Sequence, residues 1–225
     1  YLVLEHRREI EGNVARLLEL SQTDWDTFEQ SRGFTSSPLL ESGKGHLESR
    51  YREWTEQNDQ TVDEMRRLEE DNNRLFIEAY TLDEELAPDV PLGHVSLTVN
   101  PSYRFGEILA RAEVDAKFRR ETTAELISYA VGCMFGRYSL DEPGLILADQ
   151  GATLQDYLAM VSAPTFTPDA DNVIPIVEGD WFEDDIVERL RQFLRAAFGE
   201  QHFEENLRFL GQGAGDQNPV CFTAA

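Results

Sequence analysis

"LESRYREWTEQNDQTVDEMRRLEEDNNRLFIEAYTL", residues Leu47 to Leu82, is the stretch whose reading decides the fold. Leu47, Trp54, Thr61, Leu68, Leu75 and Leu82 recur every seven residues, and Tyr51, Asn58, Met65, Asn72 and Ala79 form a second row. Two rows at heptad spacing make the seam of a long helix that packs against another helix, in an antiparallel or dimeric coiled coil. Asn58 and Asn72 sit on that seam, where an amide costs stability but fixes register, so the arm is expected to pair with a specific helix. The nearest candidate is the first helix, on which Leu4, Ile10, Val14, Leu17 and Leu18 recur on one face. It would fold back across the loop from Gly33 to Gly45, after a short second turn of helix that begins at Ser21 or Thr23 and holds Trp25 and Phe28. The run "TVDEMRRLEEDNNR" reads as a solvated face of the arm.

Moving outward, Pro88 and Pro91 end the arm, and His94 to Val99 alternates apolar and polar residues like a short strand. A turn follows at Asn100. Glu107 to Phe135 reads as a helix whose second half, "AELISYAVGCMFG", is apolar almost all round and therefore buried. Gly132 and Gly136, four apart, suit close helix packing. "RYSLDEPGLILADQG" is a turn-rich connector, a short helix is expected near Leu154 to Val161, and Pro164 to Pro175 is a loop. Asp180 is placed as the cap of an amphipathic helix from Trp181 to Phe198 that Gly199 ends, and a last helix covers Gln201 to Leu210. The fold class is mainly α: a long coiled-coil-like helical hairpin arm over 1–87, a helical accessory domain with one or two short strands over 88–210, and a disordered tail over 211–225.

Composition narrows the function classes. The 225 residues are 41% hydrophobic and 10% aromatic, enough to build a core. Asp+Glu number 43 against 20 Lys+Arg, a net charge of −23. A field of that sign repels phosphate, so this chain by itself is expected to bind DNA poorly. No apolar run approaches the length of a membrane span, the opening "YLVLEHRREIEG" lacks the features of a signal peptide, and a cytoplasmic protein is expected. The first residue is not Met, which reads as a piece of something larger. Cys133 lies in the apolar stretch and reads as core, with Cys221 far from it in sequence. His6, His46, His94 and His202 share no HxxxH or HExxH spacing, so no protein-held metal site is expected.

One motif bears on chemistry. Asn100, Pro101 and Tyr103 fill three places of the N-P-P-Y turn of adenine methyltransferases, in which oxygen acceptors bind the target amine and the aromatic stacks on the flipped base. Ser102 replaces the second proline. The alternative is a structural turn, in which Pro101 breaks the strand, Asn100 bonds its own backbone and Tyr103 packs. "GQGAG", Gly211 to Gly215, lacks the strand before and helix after it that a cofactor loop requires. The acidic clusters "EGDWFEDD" and "LEEDNN" read as helix N-terminal and solvated carboxylates, and no nucleophile elbow or Walker loop occurs.

Three blocks carry a longer likeness: "EEDNNRLFIEAYTLDEELAPDVPLGHVSLTVNPSYRFG", "ELISYAVGCMFGRYSLDEPGLILADQG" and "DNVIPIVEGDWFEDDIVERLRQFLRAAFGEQHFEENLRFL". Together with "SQTDWDTFEQSRGFTSSPLL" they resemble, in order, the region beyond the methyltransferase core of the PglX family, the adenine-specific DNA methyltransferases of BREX phage-defence systems. The likeness covers residues 1 to about 210. It implies an enzyme that uses S-adenosylmethionine to methylate adenine in DNA and works with other BREX proteins. In that family the cofactor loop and the catalytic N-P-P-Y belong to an upstream Rossmann-like domain, so no cofactor is expected in this region and Asn100 to Tyr103 is an echo.

Two readings follow. In the first, the region is a non-catalytic helical spacer between the methyltransferase and target-recognition parts, with Arg104 and Arg137 the candidates to reach DNA phosphate; Arg137 could instead pair with Asp141 and organise the connector. The second is a free-standing acidic coiled-coil interaction protein, distinguished by stable self-association.

Overall fold

The structure, a computed structural model, describes residues 6–40, 45–106, 110–176 and 184–213. Among them the regular elements are α1 (Arg7–Trp25), α2 (Leu47–Tyr80), α3 (Pro101–Phe105), α4 (Arg111–Met134), α5 (Leu154–Met160), α6 (Ile186–Phe198) and α7 (Phe203–Gly213). Single 3-10 turns occur at Pro38–Leu40, Leu92–His94 and Glu200–His202. No strand is present among the described residues, and the fold is mainly α. The chain divides into two compact units, one of residues 1–26 and 55–115, the other of residues 27–54 and 116–225.

In the first unit α1 runs unbroken to Trp25, so the separate turn of helix expected from Ser21 or Thr23 is part of it. Its packed face overlaps only in part with the one the hydrophobic pattern picks: Ile10 and Leu17 are half-buried on it. Val14 and Leu18 are exposed, Leu18 to 66%, whereas Leu20 and Asp24 are buried. The inward row is instead marked by polar groups: Asn13 donates to the Asn72 amide oxygen at 3.0 Å, and Arg16 forks onto Glu64 through Nε and a terminal nitrogen at 2.7 and 3.1 Å. Residue numbers rise on α1 as they fall on α2, so the helices run antiparallel. The Arg16 hydrogen bond draws the Glu64 carboxyl below its ordinary pKa. On α2 every described residue of the two heptad rows is buried or half-buried, yet Val62 and Ile77, outside both rows, are among the deepest. The buried stripe is wider than a two-row seam because the segment from Leu92 to Ser102 lies beside Asp59, Val62 and Asp63.

That segment is not the strand that its alternation suggests. Val95, Leu97 and Val99 are buried, but the Leu97 N–H donates to the Val95 carbonyl and the Asn100 N–H to the Leu97 carbonyl, so the chain turns. The period-two pattern reports alternating burial and nothing more, because among the described residues there is no second strand for it to pair with.

The second unit is built on the buried half of α4. Leu126, Tyr129, Ala130, Cys133 and Met134 join Phe193, Leu194 and Phe198 of α6 and Leu207, Phe209 and Leu210 of α7 in one core. Asp185 caps α6 by accepting the N–H groups of Val187 and Glu188 at 2.9 Å each. The expected cap Asp180 and first residue Trp181 lie outside the described residues, and the described helix starts at Ile186. Gly199 turns the chain with φ +89°, and α7 follows, ending at Gly213 and not at Leu210. Of the tail expected at 211–225, residues 214–225 lie outside the described residues, as does Cys221.

Gly132 and Gly136 have separate uses. Gly136 follows α4 with φ +72°, a conformation that glycine adopts without strain. Gly132 is inside the helix, and the ring of Tyr138 lies on it so closely that a Cβ would stand 2.5 Å from the ring's Cδ2. That ring is fixed, stacked on Tyr129 at 5.1 Å and edge-on to Phe34 at 5.4 Å. Helix propensity alone would make Gly132→Ala stabilising by about 1 kcal/mol. Crowding against Tyr138 reverses the sign, and we expect a loss of about 1–3 kcal/mol, read as a Tm several degrees lower.

Candidate functional site

The N-P-S-Y turn is assembled by two side chains that replace missing backbone partners. Asp24, buried near the end of α1, accepts the Thr98 N–H and hydroxyl at 2.8 Å each through Oδ2, and the Val99 N–H at 3.0 Å through Oδ1. Hydrogen bonds to a charged acceptor are stronger than neutral ones, so one carboxylate holds the last turn before Asn100 in place. Asn100 then caps α3. Its Oδ1 accepts the Ser102 N–H at 3.1 Å, and its Nδ2 donates to the Leu92 carbonyl at 2.8 Å and the Val95 carbonyl at 2.9 Å. Its own carbonyl accepts the Arg104 N–H at 3.0 Å. Pro101 takes the first helical position, where a missing N–H costs nothing.

These bonds decide what the turn can do. Asn100 is 1% exposed, both hydrogens of its amide are used, and its oxygen already has a donor. A target amine would need that oxygen accessible. Tyr103, which the structural-turn reading expects to pack, is 48% exposed. The three residues that echo the catalytic motif are thus two buried or half-buried structural residues and one aromatic at the surface. Arg104, one residue on, carries its guanidinium 5.7 Å from the Phe105 ring. A cleft of about 360 Å³ opens beside the turn, lined in part by Asp59, Asp63, Asn100, Ser102 and Arg111. Arg111 is bonded to Asp115 at 3.1 Å, which leaves a mouth with a carboxylate excess. Such a cleft disfavours phosphate.

In the second unit Arg137 is exposed, and its Nε donates to the Tyr138 hydroxyl at 3.1 Å, which raises its pKa further. The expected pairing with Asp141 does not form. Asp141 is taken by Thr165, accepting its N–H at 2.7 Å and its hydroxyl. The connector is organised instead by Ser139, whose hydroxyl accepts the Asp141 N–H and whose carbonyl accepts the Tyr129 hydroxyl at 2.8 Å. A second cleft, about 390 Å³, is lined by Ser36, Tyr129, Ser139, Asp141, Glu142 and Thr165 among others. Cys133 is buried next to it, and desolvation pushes its thiol up to about 12, far from the range of a nucleophilic cysteine.

One cluster escaped the sequence reading. His46, His202 and Glu205 bring their ligating atoms within 4.8 Å of one another. Short-range spacing rules could not find it, because His46 is separated from the other two by most of the chain and only the packing of α2 against α7 joins them.

No family model matches the chain. Two curated proteins do. Over 204 residues, 90% of this chain, it is 33% identical to the adenine-specific methyltransferase BrxX of Escherichia coli O9:H4 (strain HS). Over 221 residues, 95% of the chain, it is 31% identical to the adenine-specific methyltransferase PglX of Lacticaseibacillus casei (strain Zhang). The chain is homologous to one segment of the BrxX/PglX adenine-specific methyltransferases. It spans about a sixth of their length, 17% and 16% respectively. The matches cover enough of the chain to include residues of both compact units. No helix among the described residues of this segment is long and apolar enough to cross a membrane.

If Asn100 serves the fold, its removal leaves the Ser102 N–H and the Leu92 and Val95 carbonyls short of a partner. Asn100→Ala should then cost about 2–4 kcal/mol in urea unfolding, whereas Tyr103→Ala, at an exposed position, should change stability by less than about 0.5 kcal/mol.

Proposed function

We propose that this segment is a non-catalytic helical spacer within a BREX-type adenine-specific DNA methyltransferase. In this reading the whole enzyme transfers a methyl group from S-adenosylmethionine to adenine in a specific site and marks host DNA for phage defence. The segment holds the methyltransferase and target-recognition parts at a fixed separation. It works in the cytoplasm, alongside other BREX proteins.

The observation that carries the reading is the similarity of nearly the whole chain to a sixth of two adenine-specific methyltransferases. The fold supports it. A methyltransferase catalytic domain needs strands alternating with helices to build the parallel sheet on which its cofactor rests, and the described residues form helices without a strand. Asn100, the residue that echoes the catalytic motif, is closed off by its own hydrogen bonds. Val14 and Leu18 form an exposed apolar pair one turn apart on α1, suited to contact with a neighbouring part of the enzyme. Arg104 and Arg137 remain the side chains we assign to phosphate contact. With a net charge of −23, such contacts would be local and would follow docking by other parts of the enzyme.

Calorimetric titration of this chain with S-adenosylmethionine, alone and with an adenine-containing duplex, should give no saturable heat. Saturable cofactor binding that Asn100→Ala abolishes would overturn the spacer reading and make the turn a working site. In the full-length enzyme, Arg104→Ala with Arg137→Ala should raise the KM for DNA and reduce its salt dependence while leaving the KM for S-adenosylmethionine unchanged.

A further inference from the structure

His46 precedes α2, His202 ends the 3-10 turn before α7, and Glu205 lies in the first turn of α7. The two imidazole rings are tilted by 47° with centroids 3.8 Å apart. Both direct Nδ1 at the same carboxylate oxygen: His46 Nδ1 is 2.9 Å and His202 Nδ1 3.6 Å from Glu205 Oε2. The surroundings hold each of the three in position, for each is followed directly by a buried anchor: Leu47 at 0% exposure, Phe203 at 6% and Asn206 at 1%. Asn206 clasps the backbone on both sides of His46. Its Oδ1 accepts the Leu47 N–H at 2.7 Å and its Nδ2 donates to the Gly45 carbonyl at 3.2 Å. The Gly45 N–H in turn donates to the Phe198 carbonyl at 3.1 Å. His46 is therefore fixed to α7 through the residue next to Glu205.

We propose that His46, His202 and Glu205 form a binding site for a divalent transition-metal ion of the zinc class. Zinc takes imidazole nitrogen and carboxylate oxygen at about 2.0–2.2 Å, which puts tetrahedral donors about 3.3 Å apart. The two separations on Glu205 lie on either side of that value and all three donors lie within 4.8 Å of one another, so rotation of the exposed side chains completes the set. Two nitrogens and one oxygen select zinc, cobalt or nickel over magnesium and calcium, which prefer oxygen ligands. The side chains are 28–55% exposed, so a fourth position opens to water or to a ligand from outside the chain. The acidic field that repels phosphate concentrates divalent cations here. Once bound, the ion ties the start of the long helix α2 to α7 and adds its binding free energy to the folded state of the second unit. The site is independent of the spacer reading and stands whether or not that reading holds.

The test uses the untagged 225-residue chain stripped with a chelator. Cobalt titration should give a saturable visible absorption band at one equivalent, displaced by zinc, and zinc but not magnesium should raise the Tm. Glu205→Gln and His202→Gln, both at partly exposed positions, should each weaken zinc binding by more than about tenfold and remove the Tm shift. His94→Gln, outside the cluster, should do neither. Circular dichroism and Tm in chelator establish that the variants fold; one that does not is replaced by His46→Gln. The proposal is overturned if zinc is not taken up saturably, if the Glu205→Gln/His202→Gln double variant binds it as tightly as the parent, or if magnesium competes equally.

Discussion

Backbone that is buried outside a helix must find hydrogen-bond partners, and a chain whose described residues form no sheet has few ready-made ones. Three polar side chains meet that demand. Asp24 takes the N–H groups at Thr98 and Val99, Asn100 takes the carbonyls at Leu92 and Val95, and Asn206 takes both polar backbone groups flanking His46. All three are buried, and each joins points far apart in sequence or reverses the chain within a few residues. Around these bonds the apolar residues are interchangeable in kind, since a leucine or a valine fills volume in either place. An amide or carboxylate of fixed reach is not interchangeable. The irregular segments at these points are therefore specified by polar side chains more than by the hydrophobic pattern, as the connector is by Ser139 and Asp141.

This explains which parts of the fold were legible. The long helix α2, the buried half of α4 and the amphipathic α6 follow from periodicity, because each repeats a rule over many residues. On the seam of α2, Asn72 makes a specific polar contact, accepting from Asn13 of α1. The face of α1 was legible only in part, because the packed row carries Asn13 and Arg16 while two of its apolar residues, Val14 and Leu18, face outward. A pattern that weighs only hydrophobicity includes Ile10 and Leu17 correctly but rotates the face too far round the helix. The alternation at Val95, Leu97 and Val99 misled in the same way: it is real in burial, but what satisfies the backbone there is a carboxylate on another helix.

The candidate sites divide along similar lines. That Asn100 would bond backbone could be read from the Asn-Pro pair, whereas the exposure of Tyr103 depends on whether any element covers it. Arg137 and Asp141 are close enough in sequence to suggest a pair, yet Thr165 arrives from a distant loop and takes the carboxylate. His46, His202 and Glu205 carried no local signal beyond a histidine three residues before a glutamate. Only the Asn206 clasp, itself invisible to any spacing rule, makes them neighbours.

The methyltransferase echo shows how far a four-residue phrase depends on its surroundings. In a working N-P-P-Y turn the asparagine must present its oxygen to a base that arrives from solvent, so the site must leave that polar group without an internal partner and accept the cost in stability. Here the same residue type sits at a helix N-cap, and every group that could recognise a base is bonded within the protein. The proline serves both arrangements, because a fixed φ suits a catalytic turn and a first helical position alike. The aromatic marks the difference: at Tyr103 it lies at the surface, beside an acidic cleft where a polyanion is disfavoured. Shared letters thus follow from shared turn geometry, while chemistry would require the one thing the Asn100 turn has given up, an unsatisfied acceptor open to a ligand.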